Sequence, residues 1–144
     1  MENKLNEKGF TLIEMLLVLA IVMTITSSVI FIATSKFVEI EEKRFIRQFQ
    51  LDVQSIQSVA IAEEKYAYLN FFNGGTKYVA KSANTILFES EMPAGYRLST
   101  ESNLKEIGFH PNGSIKDFGT LIFETKKGSK KVILYIGRGR MNYE

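Results

Sequence analysis

Lys8-Gly9-Phe10-Thr11-Leu12-Ile13-Glu14 opens an apolar run that continues to about Ser35, and between Lys8 and Lys36 the only charged residue is Glu14. Residues 15–35 number 21. As a helix they reach about 32 Å, enough for a hydrocarbon layer of about 30 Å. A carboxylate in such a segment costs about 2.5–3.5 kcal/mol on insertion scales, and ionisable groups in spanning helices mark function. Glu14 is therefore a candidate functional residue, and the chain is expected to begin with a helix whose surroundings are not water.

Upstream lies a short leader in which Glu2, Lys4, Glu7 and Lys8 cancel in charge. A cleavable secretory signal would have a shorter apolar core and a small-x-small exit. Here the run is longer, carries Glu14 and lacks Ala-x-Ala, although Thr26-Ser27-Ser28 places small residues at depth. A plain signal anchor with Glu14 near the interface is the bland alternative. Lysines and arginines flank both ends of the run, so the positive-inside rule does not orient it.

The whole chain has 144 residues and a formal net charge of +2, which is not the charge level of a dedicated nucleic-acid-binding domain. There is no Cys. Disulfides, thiol nucleophiles and Cys-based metal sites are excluded, and the folded part must rest on its core alone.

Beyond the run, residues 36–65 predict an amphipathic continuation of the same helix. Ile46, Phe49, Val53, Ile56 and Ala60 recur at gaps of three and four, one helical face, with Phe45 adding bulk. No Gly or Pro interrupts between Phe10 and Asn73, so a single helix of roughly 55 residues is expected. The spacing also suits a coiled coil, but over barely two heptads. From Tyr66 the pattern becomes short β-prone runs separated by turn residues. These are Tyr66 to Phe72 before Asn73-Gly74-Gly75, a return over 76–80, 85–88, 96–98, 106–109, 119–124 and 131–136. Such runs predict an antiparallel sheet. Gly108 and Gly119 read as bulges or close approaches. The fold class is α+β: a long N-terminal helix, membrane-spanning in its first half and amphipathic in its second, packed on a small antiparallel sheet.

The Gly9-Phe10-Thr11-x-x-x-Glu14 order resembles the class III signal of type IV pilins and type II secretion pseudopilins. Ile107-Gly108-Phe109-x-x-x-Gly113 followed by Gly119-Thr120-Leu121-Ile122-Phe123 is similar to the sheet segment of H-type minor pseudopilins and of Gram-positive competence pseudopilins, particularly the ComGD type. Met92-Pro93-Ala94-Gly95-Tyr96 and Gly137-Arg138-Gly139 are compatible with that group. The resemblance implies a lollipop-shaped pilin fold. It implies a leader over 1–9, a transmembrane or filament-core helix over 10–35 and an extracytoplasmic head over 36–144. A prepilin peptidase would cut between Gly9 and Phe10 and methylate Phe10, and Glu14 would serve as counter-charge to the amino terminus of an adjoining subunit during assembly. Relatives carry Pro or Gly where the spanning helix softens; this chain has the hydroxyl cluster Thr24, Thr26, Ser27 and Ser28 there.

What the resemblance implies about partners follows: other major and minor pseudopilins, the prepilin peptidase, an assembly ATPase, a polytopic platform protein and the membrane. The chain would cross the cell membrane once with its C-terminal domain outside, and reach the cell surface when assembled. The function implied is that of a minor pseudopilin in a competence pseudopilus for DNA uptake. The alternatives are a type II secretion or type IV pilus subunit, a membrane-anchored binding module, and an enzyme on an anchor.

Enzyme chemistry finds little to stand on in the sequence. His110 is the one His and precedes Pro111; Asp52 and Asp117 are isolated; Glu41-Glu42 and Glu63-Glu64 read as solvated helix positions. No catalytic triad, phosphate loop or metal-ligand spacing appears, and no cofactor is called for. Lys126, Lys127, Lys130, Lys131, Arg138 and Arg140 make a basic C-terminal end with Tyr135 and Tyr143 nearby. Of these, Lys126, Lys127, Arg138 and Arg140 are candidate DNA contacts. The competing and favoured reading is a charged hairpin tip and tail that keep a sheet edge soluble.

Overall fold

The computed structural model describes residues 11–144, and the side chains of all of these except 32–35. The chain divides into two compact units with the boundary between Phe37 and Val38.

Helix α1, Leu12–Ala62, is 51 residues long. Thr11 caps it: its hydroxyl oxygen accepts from the Glu14 backbone N–H at 3.4 Å, and its carbonyl accepts from Glu14 and Met15. Thr11-Leu12-Ile13-Glu14 has the Thr-x-x-Glu spacing of a helix start, with the Thr11 half of that cap formed, and Glu14 sits in the first turn, where a negative charge suits the helix dipole. At the other end the Lys65 N–H reaches the Ala60 carbonyl and the Glu64 N–H reaches Ile61, with Glu64 at φ 53°. This is a Schellman closure, built on a glutamate where glycine is usual. The sequence pattern places the end near Lys65, and no glycine marks the closure that stops the helix at Ala62.

Within the C-terminal unit, α1 buries the expected face. Ile46, Phe49, Val53, Ile56 and Ala60 are all buried, together with Phe45. Against this face lie two antiparallel four-stranded sheets rather than one. The first is formed by β1 (Ala67–Phe72), β2 (Lys77–Ser82), β3 (Thr85–Glu91) and β5 (Glu106–Phe109), in the order β3-β2-β1-β5. The second is formed by β4 (Arg97–Leu98), β6 (Gly119–Thr125), β7 (Gly128–Leu134) and β8 (Met141–Tyr143), in the order β4-β6-β7-β8. The first sheet ends at β5. That strand pairs with β1, and only the bridge Phe109↔Ile115 continues towards the second sheet. The intervening turn folds back on itself, with the Gly113 N–H bonded to the His110 carbonyl.

The core is an aromatic cluster centred on Phe49, whose ring lies 5.0 Å from Phe123 and 5.5 Å from Tyr78, both edge-on, with Phe45 and Phe71 beside it. Edge-to-face contacts of this kind add to the burial of the rings themselves. Both glycines read as close approaches are so. A Cβ on Gly108 would lie 1.9 Å from the Tyr66 hydroxyl, and one on Gly119 would lie 2.6 Å from Asn103 Oδ1. The β6–β7 hairpin is tighter than its Lys126-Lys127-Gly128-Ser129-Lys130 run suggests. Thr125 pairs with Gly128, leaving Lys126 and Lys127 alone in the turn. Strand β8 had no signal of its own, being three residues behind a glycine-rich loop.

Candidate functional site

The first region of interest is the apolar half of α1. Its side chains from Leu12 to Phe31 are exposed, and none of its most apolar window is covered by the protein. By length and composition it can cross a membrane. Uncovered apolar surface on this scale calls for lipid or other apolar helices around it. The four hydroxyls are satisfied within the helix. Thr24 donates to the Ile21 carbonyl at 2.8 Å, Thr26 to Val22 at 2.7 Å, Ser27 to Met23 at 2.8 Å and Ser28 to Thr24 at 2.9 Å. Back-bonded hydroxyls remove the cost of placing them in hydrocarbon, and they loosen the backbone bonds they share. Glu14 is exposed and has no cationic partner among the described residues. Gly9 and Phe10 lie outside the described residues.

The second region is the set of basic side chains on the C-terminal unit, and the structure does not bring the four DNA candidates together. Lys126 and Lys127 form the β6–β7 turn, whereas Arg138 and Arg140 lie in the loop after β7. The seven residues of β7 separate the two pairs by roughly 20 Å. Lys126 Nζ is also engaged, 2.8 Å from Glu41 Oε2, and Lys130 lies 3.3 Å from Glu42. Glu41 and Glu42, expected to be solvated helix positions, instead hold the hairpin to α1. Glu63 is exposed, as expected, and also accepts from the Ser82 hydroxyl at 2.5 Å. Helix acids whose neighbours are supplied by strands far along the chain cannot be distinguished by spacing from solvated ones.

Asp52 also departs from its reading as an isolated helix residue. It is buried, and its carboxylate accepts from the Tyr78 hydroxyl at 2.6 Å and from the Gln48 amide at 2.8 Å. Its place between Phe49 and Val53, on the apolar face, was the available signal. Burial first and then the Asp52 hydrogen bond push the Tyr78 phenol well above its ordinary value. Tyr66 is raised in the same way, by burial and by its hydrogen bond to Glu106 at 2.8 Å. His110 is exposed, with the Tyr66 ring 5.9 Å away. Among the described residues no cluster of His, Asp or Glu has metal-binding proximity.

One long helix carries an uncovered apolar first half, and its second half packs on antiparallel sheets. That is the pilin fold. The prokaryotic N-terminal methylation motif matches residues 4–30. Among solved structures, the type IV minor pilin FimU of Pseudomonas aeruginosa is similar in two crystal forms. One has a TM-score of 0.60 at 13% identity over 75% of this chain and 92% of that one. The other has a TM-score of 0.56 at 12% identity over 71% and 91%. At such identity the likeness is one of fold. Among curated proteins none matches the chain in sequence.

Proposed function

We propose that this chain is a minor pseudopilin, a non-catalytic subunit of a competence pseudopilus that mediates DNA uptake in transformation. The observation that carries the reading is the methylation motif over 4–30, placed on an uncovered apolar helix that runs on into a pilin fold. A prepilin peptidase removes residues 1–9 and methylates Phe10. The helix over 10–35 then passes from the membrane into the filament core, drawn by an assembly ATPase and a platform protein, and 36–144 stays outside. Glu14, with no partner inside the described chain, supplies a carboxylate for the amino terminus of a neighbouring subunit. In a low-dielectric core an unpaired charge is costly, so each such pair also fixes the stagger between helices.

A second reading, a minor subunit of a type IV pilus, is favoured by the likeness to FimU, whose name places it in such a pilus. The two separate in a strain that lacks the gene. Loss of transformation with secretion and surface filaments intact supports the competence role. Normal transformation with lost filaments or secretion moves the chain to a sister machine. Supplying Glu14→Val should fail to restore the lost activity while the protein still inserts; full rescue would refute the counter-charge.

A further inference from the structure

A groove runs along α1 inside the C-terminal unit, between the helix and the free edge of the second sheet. Its two contiguous parts share Gln50 and Gln54. One part, of about 630 Å³, is bounded by Arg47, Lys130 and Tyr143, and the other, of about 330 Å³, by Gln57, Arg138 and Arg140. Lys43, Arg47, Gln50, Gln54 and Gln57 recur at gaps of four and three, so they form one polar stripe beside the buried apolar one. The stripe is about 21 Å long, and Arg47 stands about 10 Å along the axis from Gln54, where the two C-terminal arginines begin.

Basic side chains outnumber acidic ones along the groove, where Glu42 is the one acid among the lining residues. Lys43 is engaged by Glu39 and Lys130 by Glu42. Arg47, Arg138 and Arg140 have no ion-pair partner among the described residues, and all three are exposed. The loop that presents two of them is built rather than loose. The Gln57 amide donates to the Gly113 and Arg138 carbonyls at 2.8 and 2.9 Å. The Tyr135 N–H bonds to the Arg140 carbonyl, and the Ile115 N–H to that of Gly137. Gly139, at φ 65°, lies so close to Phe109 that a Cβ would come within 2.7 Å of the ring. A half-buried glutamine, a glycine pressed on an aromatic ring and two backbone hydrogen bonds hold the loop that carries two arginines, along the same groove as a third on the helix.

We infer that this groove binds the sugar–phosphate backbone of duplex DNA, without sequence preference. Guanidinium groups take phosphates in bidentate fashion, and a loop whose backbone is already held loses little freedom on binding. A protein strand added to the sheet edge fits less well, because β8 offers only three residues of backbone. A single strand fits less well too, because such sites stack successive bases on several aromatic rings and this groove has Tyr143 alone. The surface replaces the tip lysines Lys126 and Lys127 with Arg47 as the companion of Arg138 and Arg140. The inference deepens, and rests on, the DNA-uptake reading.

The test uses the full-length protein in detergent micelles and the fluorescence anisotropy of a labelled short duplex over a NaCl series. Three phosphates neutralised give a slope of log Kobs against log salt of about −2.7. Arg47→Gln should reduce its magnitude by about 0.9 and Arg138→Gln/Arg140→Gln by about 1.8, while Lys127→Gln leaves it unchanged. Arg47 lies outside the loop, so its variant reports on the groove even if the loop pair disturbs folding. Absence of duplex binding, binding indifferent to all three arginines, or preference for a single strand or an acidic peptide would overturn the inference. Failure here with transformation still lost in the deletion strain leaves the uptake role standing. Groove binding with normal transformation in that strain removes the uptake role instead.

Discussion

Two buried tyrosines show what a single hydroxyl is worth. The Tyr78 hydroxyl satisfies Asp52 inside the core, whereas the Tyr96 hydroxyl is buried with no hydrogen-bond partner among the described residues. A buried group that loses its partner carries its full desolvation cost, while removing an unpartnered one carries almost none. Tyr78→Phe should therefore destabilise the protein by about 2 kcal/mol, and Tyr96→Phe should be neutral or stabilise it by up to about 1 kcal/mol, read from urea unfolding midpoints. Equal losses would refute the contrast. Tyr78 and Tyr66 are both raised, so each contributes stability that is complete below the unfolded tyrosine value of about 10. Above it the unfolded chain sheds protons that the folded chain keeps, and stability falls as pH rises through the folded values. The Tyr78→Phe variant should show a shallower alkaline decline than the parent.

Among the elements, α1 and the β6–β7 hairpin are joined across more than eighty positions of sequence by Lys126–Glu41, Lys130–Glu42 and the Thr125 hydroxyl on Glu42. The pairs are partly exposed, so their net worth is small and screened by salt. Lys126→Gln/Lys130→Gln should lower stability by no more than about 1 kcal/mol, and the difference should vanish at high salt. Hydrogen exchange should quicken in the backbone of β7 near Gly128, since the tip loses its tether. Unaltered exchange there would show that the aromatic cluster alone holds the hairpin. The amphipathic face of α1 was legible because it depends only on the helical period; the strands were legible because Gly, Pro and Asn punctuate them. The ion pairs were not, because nothing local in Glu41-Glu42 distinguishes an acid facing water from one facing a strand.

For the whole molecule, the proposed processing between Gly9 and Phe10 lies outside the described residues and rests on the motif. Gly9→Val should block trimming, leaving a precursor that migrates more slowly and retains its leader by mass spectrometry; a product beginning at Phe10 would show that the motif is misread. The apolar helix, its Glu14, the amphipathic stripe from Ile46 to Ala60 and the α+β class were determined by the sequence alone. Each is a local property, set by composition or by a period of 3.6 residues. Tertiary structure alone decided that the strands divide into two sheets, that Asp52 is a buried partner of Tyr78, and that the basic C-terminal residues split between the two ends of β7. It also decided that Arg47 on the helix joins Arg138 and Arg140 along one groove. Those facts depend on which distant segments meet, and in β structure the pairing of strands and the burial of a polar side chain are settled by contacts remote in sequence.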